Sequence, residues 1–187
     1  MRRIDEVICN GNIKIKYTQT DGEGGKTYHT VEMNEQARDE FYKALSGLDS
    51  VVMEILELDA LGDLLQADFW KNRISIRGVT YYYNDYDTMG AKVHYKLFMP
   101  RALERVKYTT PKRMCKDMFS DDIVFLSETS EQLLNKVAFE ALEYLDGRRA
   151  QLTLDEAAQI GMFAAVEDND DSTKGKVIDI STVSKAN

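Results

Sequence analysis

Histidine and cysteine are scarce in this chain, two of each in 187 residues, and that scarcity removes most metal and thiol chemistry at once. Zinc and di-iron sites need three or four converging ligands, whereas His29 and His94 each stand in strand-like sequence with no second ligand at helical or hairpin spacing. Cys9 and Cys115 are far apart and belong to no CxxC pair, which reads as two reduced thiols of a cytoplasmic protein. No metal and no cofactor is expected. A hydrolase elbow of the GxSxG kind is also missing. "GEGGKT" resembles the end of a phosphate-binding loop, yet the position five before Gly25 is Thr20, and the context is strand, turn, strand. These absences point away from an enzyme.

Long apolar runs are lacking too. No window approaches the ~18 apolar residues of a membrane helix. "MRRIDEVICNGNIKIKY" opens on two arginines, but acids follow at once, so neither a signal peptide nor an anchor is read there. A cytoplasmic chain with no membrane partner is the expectation.

What the chain does have is charge, unevenly placed. The net charge is -8, but between Lys71 and Lys116 eleven basic residues face three acids, which gives +8 there and leaves -16 for the rest. Such asymmetry is a footprint of polyanion contact, or of a basic stretch lying against an acidic surface of the same protein. The length suits one domain, read as residues 1–165, with an acidic, aromatic-poor tail over 166–187.

Periodicity places the elements. "NIKIKYTQT" and "KTYHTVEM" alternate apolar and polar residues around the turn "DGEGG", a hairpin with Ile13, Ile15 and Tyr17 inward and Lys14 and Lys16 outward. Asn34 reads as the N-cap of a helical region whose stripe is Phe41, Leu45, Leu48, Val52 and Leu56, with Gly47 dividing it in two. The connector "LDALGDLLQADFW" is expected to pack beneath a second hairpin, "RISIRGVTYYY" and "AKVHYKLF" around "NDYDTMG", with a bulge where Gly78 and Val79 shift the phase. The stretch after Pro100 reads as irregular. "SETSEQLLNKVAFEALEYLDGRR" is a helix, with Thr129 and Gln132 as its capping pair and Gly147 as its stop, and Thr153 opens a short last helix through Met162. The fold class is α+β: a small, mostly antiparallel sheet covered on one face by two or three helices, with a flexible acidic C-terminal tail.

The outward positions of both hairpins are basic. On one sheet face they would gather Lys14, Lys16, Arg73, Arg77, Lys92, His94 and Lys96, and alternation sends Tyr82 to the face opposite Tyr81 and Tyr83. Tyrosine amid lysine and arginine is the composition of a stacking platform for single strands, although tyrosine is also simply a good strand former. Asp85 and Asp87 are read as turn residues in preference to a cation site. Glu167, Asp168, Asp170 and Asp171 would compete with nucleic acid for such a face by charge alone.

The order of "GNIKIKYTQTDG", "ARDEFYKALSGL" with "VVMEILEL", "RISIRGVTYYY" with "TMGAKVHYKL", and "ALEYLDGRRAQ" resembles a family of small uncharacterised bacteriophage and prophage proteins. That resemblance implies an accessory factor of phage replication or recombination and carries no catalytic residues. With the basic face, it leads to a non-enzymatic factor binding single-stranded nucleic acid through Lys14, Lys16, Arg73, Arg77, Tyr82, Lys92, His94 and Lys96. The alternative partner is a host protein complex, met by an acidic helical surface around Asp39, Glu40, Glu54 and Glu57 in an anti-defence role.

Overall fold

The computed structural model describes residues 1–58, 72–116 and 125–149. They belong to one compact unit, Met1–Ala150. The connector over 59–71 with Trp70 and Lys71, the helix expected from Thr153 to Met162, and the acidic tail lie outside the described residues.

Alternation builds the sheet. Its strands are β1 (Arg2–Asn10), β2 (Asn12–Thr20), β3 (Lys26–Met33), β4 (Ile74–Tyr83), β5 (Met89–Met99), β6 (Glu104–Thr109) and β7 (Arg113–Met114). The order across the sheet is β3-β2-β1-β4-β5-β6, β7 also pairs with β5, and every one of these ladders is antiparallel. Along β5, Met89, Ala91, Val93 and Tyr95 are buried while Lys92, His94 and Lys96 fall between them on the other face.

Three helices cover the apolar face: α1 (Asp39–Ser46), α2 (Asp49–Ile55) and α3 (Glu128–Leu145). Phe41, Leu45, Leu48, Val52, Leu134, Val137, Ala141 and Tyr144 pack on Val7, Ile15, Val79 and Val93 to make the core. Tyr81 is part of it, and its hydroxyl donates to the Leu134 carbonyl at 2.9 Å, satisfying the polar end of a buried ring. The α+β class, with helices on one sheet face, is as the sequence led us to expect. Among the described residues no helix is long and apolar enough to cross a membrane.

Four local expectations are corrected. The first hairpin is the outer part of a three-stranded meander, because β1 precedes it. Its alternation is hidden by a bulge at Asp5, which lets Ile4 and Val7 both reach the core while the Thr18 hydroxyl donates to Asp5 at 2.6 Å. Asn34 is not a helix cap. Ala37 bridges Arg149, Arg38 is extended, and α1 starts at Asp39. The division at Gly47 does occur.

The third correction concerns α3, which is capped by Ser127 in place of Thr129. Ser127 Oγ accepts from the Ser130 amide at 3.2 Å. Glu54 of α2 completes this cap from another helix, accepting from the Ser127 amide at 2.5 Å, the Ser127 hydroxyl at 2.8 Å and the Ser130 hydroxyl. A carboxylate at the positive end of the helix dipole fastens α2 to α3. At the other end Gly147, at φ +90°, closes α3: its amide donates to the Tyr144 carbonyl at 3.2 Å and the Arg148 amide to Glu143 at 3.0 Å, both in the Schellman pattern. Finally, the stretch after Pro100 contains two strands, β6 and β7. β6 pairs with β5 from Met99 to His94, and Thr110 bridges on to β7 through its amide and hydroxyl bonds to Val93.

Candidate nucleic-acid interface

Register assembles the sheet face turned away from the helices. One row across it runs Lys16, Glu6, Thr80, Lys92, and the next runs Lys14, Ile8, Gly78, His94, Thr109. Beyond these, Ser75, Lys96 and Lys107 stand side by side, and Arg105 lies opposite Phe98. Lys14, Lys16, Lys92, His94 and Lys96 therefore share one face, joined by Lys107 and Arg105 from β6.

The two halves of this face differ in charge. On the β2 side Lys16 pairs with Glu6 at 2.8 Å, and Lys14 stands opposite Glu32 in the ladder. On the β5–β6 side, no described carboxylate lies within ion-pair reach of Lys92, Lys96, Lys107, Arg105 or Lys112. The uncompensated positive field is thus concentrated on one half.

Tyr82 stands at the edge of that half. It pairs with Gly90 across the ladder, so no side chain stands directly opposite its ring, and the ammonium groups of Lys92 and Lys112 sit 5.3 and 5.1 Å from its centroid. Its neighbours are used otherwise. Tyr81 is core, and burial, with Tyr83 beside it, pushes its phenol well above the ordinary value. Tyr83 donates to the Ile4 carbonyl at 3.2 Å beneath the Arg3 guanidinium, and burial raises it to about 12. Alternation in "YYY" thus sorts the three rings as the sequence leads one to expect.

His94 is a crossbar in the middle of the face. Its Nε2 lies 2.8 Å from Thr80 Oγ1 and its Nδ1 2.9 Å from Thr109 Oγ1, tying β4, β5 and β6 together. Burial lowers its pKa, with Glu6 raising it and Lys92 lowering it further. At neutral pH the ring is uncharged.

One expected contact lies elsewhere. Arg77 is the extra residue of the β4 bulge: Ile76 faces Tyr95 and Gly78 faces His94, so the residue between them is freed from the alternation. It lines a cavity of about 320 Å³ with Cys9, Tyr42, Leu45 and Asp49 on the helix side, and its Nη2 is buried with no hydrogen-bond partner. Arg73 lies at the far end of the hairpin, where its carbonyl accepts from the Phe98 amide at 2.9 Å. Arg105, Lys107 and Lys112 are the basic residues of this half that sequence reasoning did not select. The signal was present, since Arg105 and Lys107 alternate with Val106 and Tyr108.

The remaining candidate groups of the sequence have structural surroundings. Burial raises Cys9, opposed by Arg77, and lifts Cys115 to about 12 with help from Glu131 and Glu54, so both free thiols stay protonated. Asp87 pairs with Arg3 at 3.1 Å at a positive φ, and Asn84 Oδ1 accepts the Tyr86 and Thr88 amides, so the "NDYD" loop is held by turn chemistry. Asp21 Oδ1 likewise accepts the Glu23 and Gly25 amides in the "DGEGG" turn. Of the acids considered for the alternative partner, Glu54 is engaged at the α3 cap and Glu57 lies 3.7 Å from Arg113. Scanned against family models, curated proteins and solved structures, the chain matches none.

Proposed function

We propose that this protein binds single-stranded nucleic acid across the β5–β6 half of its outer sheet face, without catalysis, as an accessory factor of the bacteriophage type. The observation that carries the reading is the Tyr82 ring flanked by the Lys92 and Lys112 ammonium groups, next to the cations Lys96, Lys107 and Arg105. An aromatic face accepts any base, and flanking cations neutralise the phosphates that connect successive bases, which is how sequence-tolerant single-strand binding is built. The exposed, basic sheet face favours a strand with unstacked bases over a duplex, whose bases are hidden from a tyrosine ring.

Fluorescence anisotropy with labelled single-stranded and double-stranded oligonucleotides tests this. The expected result is salt-sensitive binding that favours the single strand and falls at least tenfold in the double variant Lys96→Glu, Lys107→Glu. Both side chains lie on the solvent side of the sheet, so the variant keeps the fold. Unchanged binding by the folded variant, or no binding by the native protein at low salt, would overturn the reading.

A further inference from the structure

At the Met99 end of β5 the sheet carries a cavity of about 620 Å³ that the strand surface around Tyr82 does not reach. Leu97, Phe98, Met99 and Tyr108 make its wall apolar, and Arg73 and Arg101 add cationic groups. Tyr108 is stacked on Tyr95 through one ring face, with centroids 5.7 Å apart and planes at 25°. Tyr108 as a residue remains 42% exposed. β6, which holds Tyr108, is an edge strand exposed along its whole length, with Arg105 and Lys107 directed to the outer face and Val106 and Tyr108 to the other.

We infer that this cavity takes one base of the bound strand, anchoring it at the end of the face distant from Tyr82. The inference rests on the single-strand reading above and deepens it by carrying the strand from the outer face around the end of the β5–β6 hairpin. Three features select a nucleotide as the occupant. The volume exceeds that of a nucleobase, and an apolar wall with one half-exposed tyrosine is what a base needs for stacking. Arginines in the lining supply the cation for its phosphate. The cavity is reached around the end of the β5–β6 hairpin: Leu97 and Tyr108 lie one register step from Lys96 and Lys107 and so on the opposite face, and the lining continues through Pro100, Arg101 and Ala102 at the turn between the two strands.

The separation makes the inference testable by length. From Gly90, opposite Tyr82, to Met99 at the cavity, β5 runs about 30 Å at the usual strand rise. A short strand can occupy one of the two aromatic sites but not both. The experiment compares thymidine oligonucleotides of about 4 and about 16 nucleotides, the range of single-strand site sizes, against the native protein, Tyr108→Ala and Ala102→Trp. The second variant fills the cavity from an exposed turn residue and leaves β6 intact.

The native protein is expected to bind the long strand more tightly than the short one by about tenfold or more beyond the statistical gain, the effect of one stacked base. Both variants should lose that increment and keep the native affinity for the short strand. If both variants keep the increment, the cavity does not take a base while the Tyr82 face still does, as it would if the cavity belonged to an apolar side chain of a protein partner. If the native protein binds neither length at low salt, the single-strand reading itself fails and the inference with it.

Discussion

His94 shows how one side chain can be both a structural crossbar and a charge switch. In the neutral ring one nitrogen donates to a threonine hydroxyl and the other accepts from one, so Thr80 and Thr109 are both satisfied. Burial lowers its pKa below the ordinary 6.5, with the Lys92 ammonium acting in the same direction against Glu6. Because the folded protein holds the proton less tightly than the unfolded chain, stability is fully present above pH 6.5 and declines as pH falls through the lowered value. Under the proposed function, binding of nucleic acid would have the opposite preference, since a protonated His94 adds a cation between Lys92 and Lys96. Urea melts between pH 7.5 and 5 are therefore expected to show declining stability in the native protein and a flatter profile in His94→Gln. Oligonucleotide affinity should rise over the same interval in the native protein alone. Parallel profiles for the two proteins would remove His94 from both roles.

At the scale of the element, close approach decides the join between the two halves of the sheet. β1 and β4 meet over Glu6, Val7 and Ile8, and Gly78 lies against this contact: a Cβ there would be 2.1 Å from the Val7 carbonyl oxygen and 2.9 Å from Ile8 Cα. Backbone cannot yield as a side-chain tip does. Gly78→Ala is expected to cost about 3 kcal/mol or more, as large steric insults in a packed sheet do. Gly147→Ala, where a Cβ meets nothing within 4 Å and only the positive φ is strained, should cost about 1 kcal/mol. Denaturant midpoints at unchanged m-value would measure both, and equal costs would show that the β1–β4 join tolerates spreading.

The same bulge explains what the sequence could and could not reveal. Where alternation or helical spacing runs unbroken it is legible: β2, β3, most of β5, the divided helix pair and α3 all follow from it. β1 escaped notice because the bulge at Asp5 breaks the period after three residues. The bulge beside Gly78 was visible as a phase shift, but not its consequence, that Arg77 would turn toward Cys9 and Asp49 while its neighbours in sequence held their faces. β6 was overlooked for a different reason. Every residue in it is exposed, so its alternation is of charged against apolar and amphipathic side chains with no buried member to mark a face. The lysines of β5 and the ring of Tyr82 could be read from sequence; their companions on β6 required the pairing.

Among the described residues of the whole molecule, the sheet divides into a half whose lysines meet acids and a half whose lysines do not, although both carry lysines on the same face. That division predicts unequal consequences for substitutions that look alike in sequence. Lys14 and Lys16 face Glu32 and Glu6, so much of their field is cancelled before a phosphate arrives, whereas Lys96 and Lys107 adjoin each other with no described acid in reach. For single strands the logarithm of affinity falls with the logarithm of salt at a slope of about -0.7 per phosphate neutralised. If Lys92, Lys96, Lys107, Lys112 and Arg105 each meet one phosphate, the native slope should be about -3.5. Lys96→Ala with Lys107→Ala should bring it to about -2, while Lys14→Ala with Lys16→Ala should leave it nearly unchanged. Anisotropy titrations over a series of salt concentrations would give the three slopes. Equal reductions from the two pairs would mean that the strand crosses the β1–β2 half as well, and that Glu6 and Glu32 yield their lysines to it.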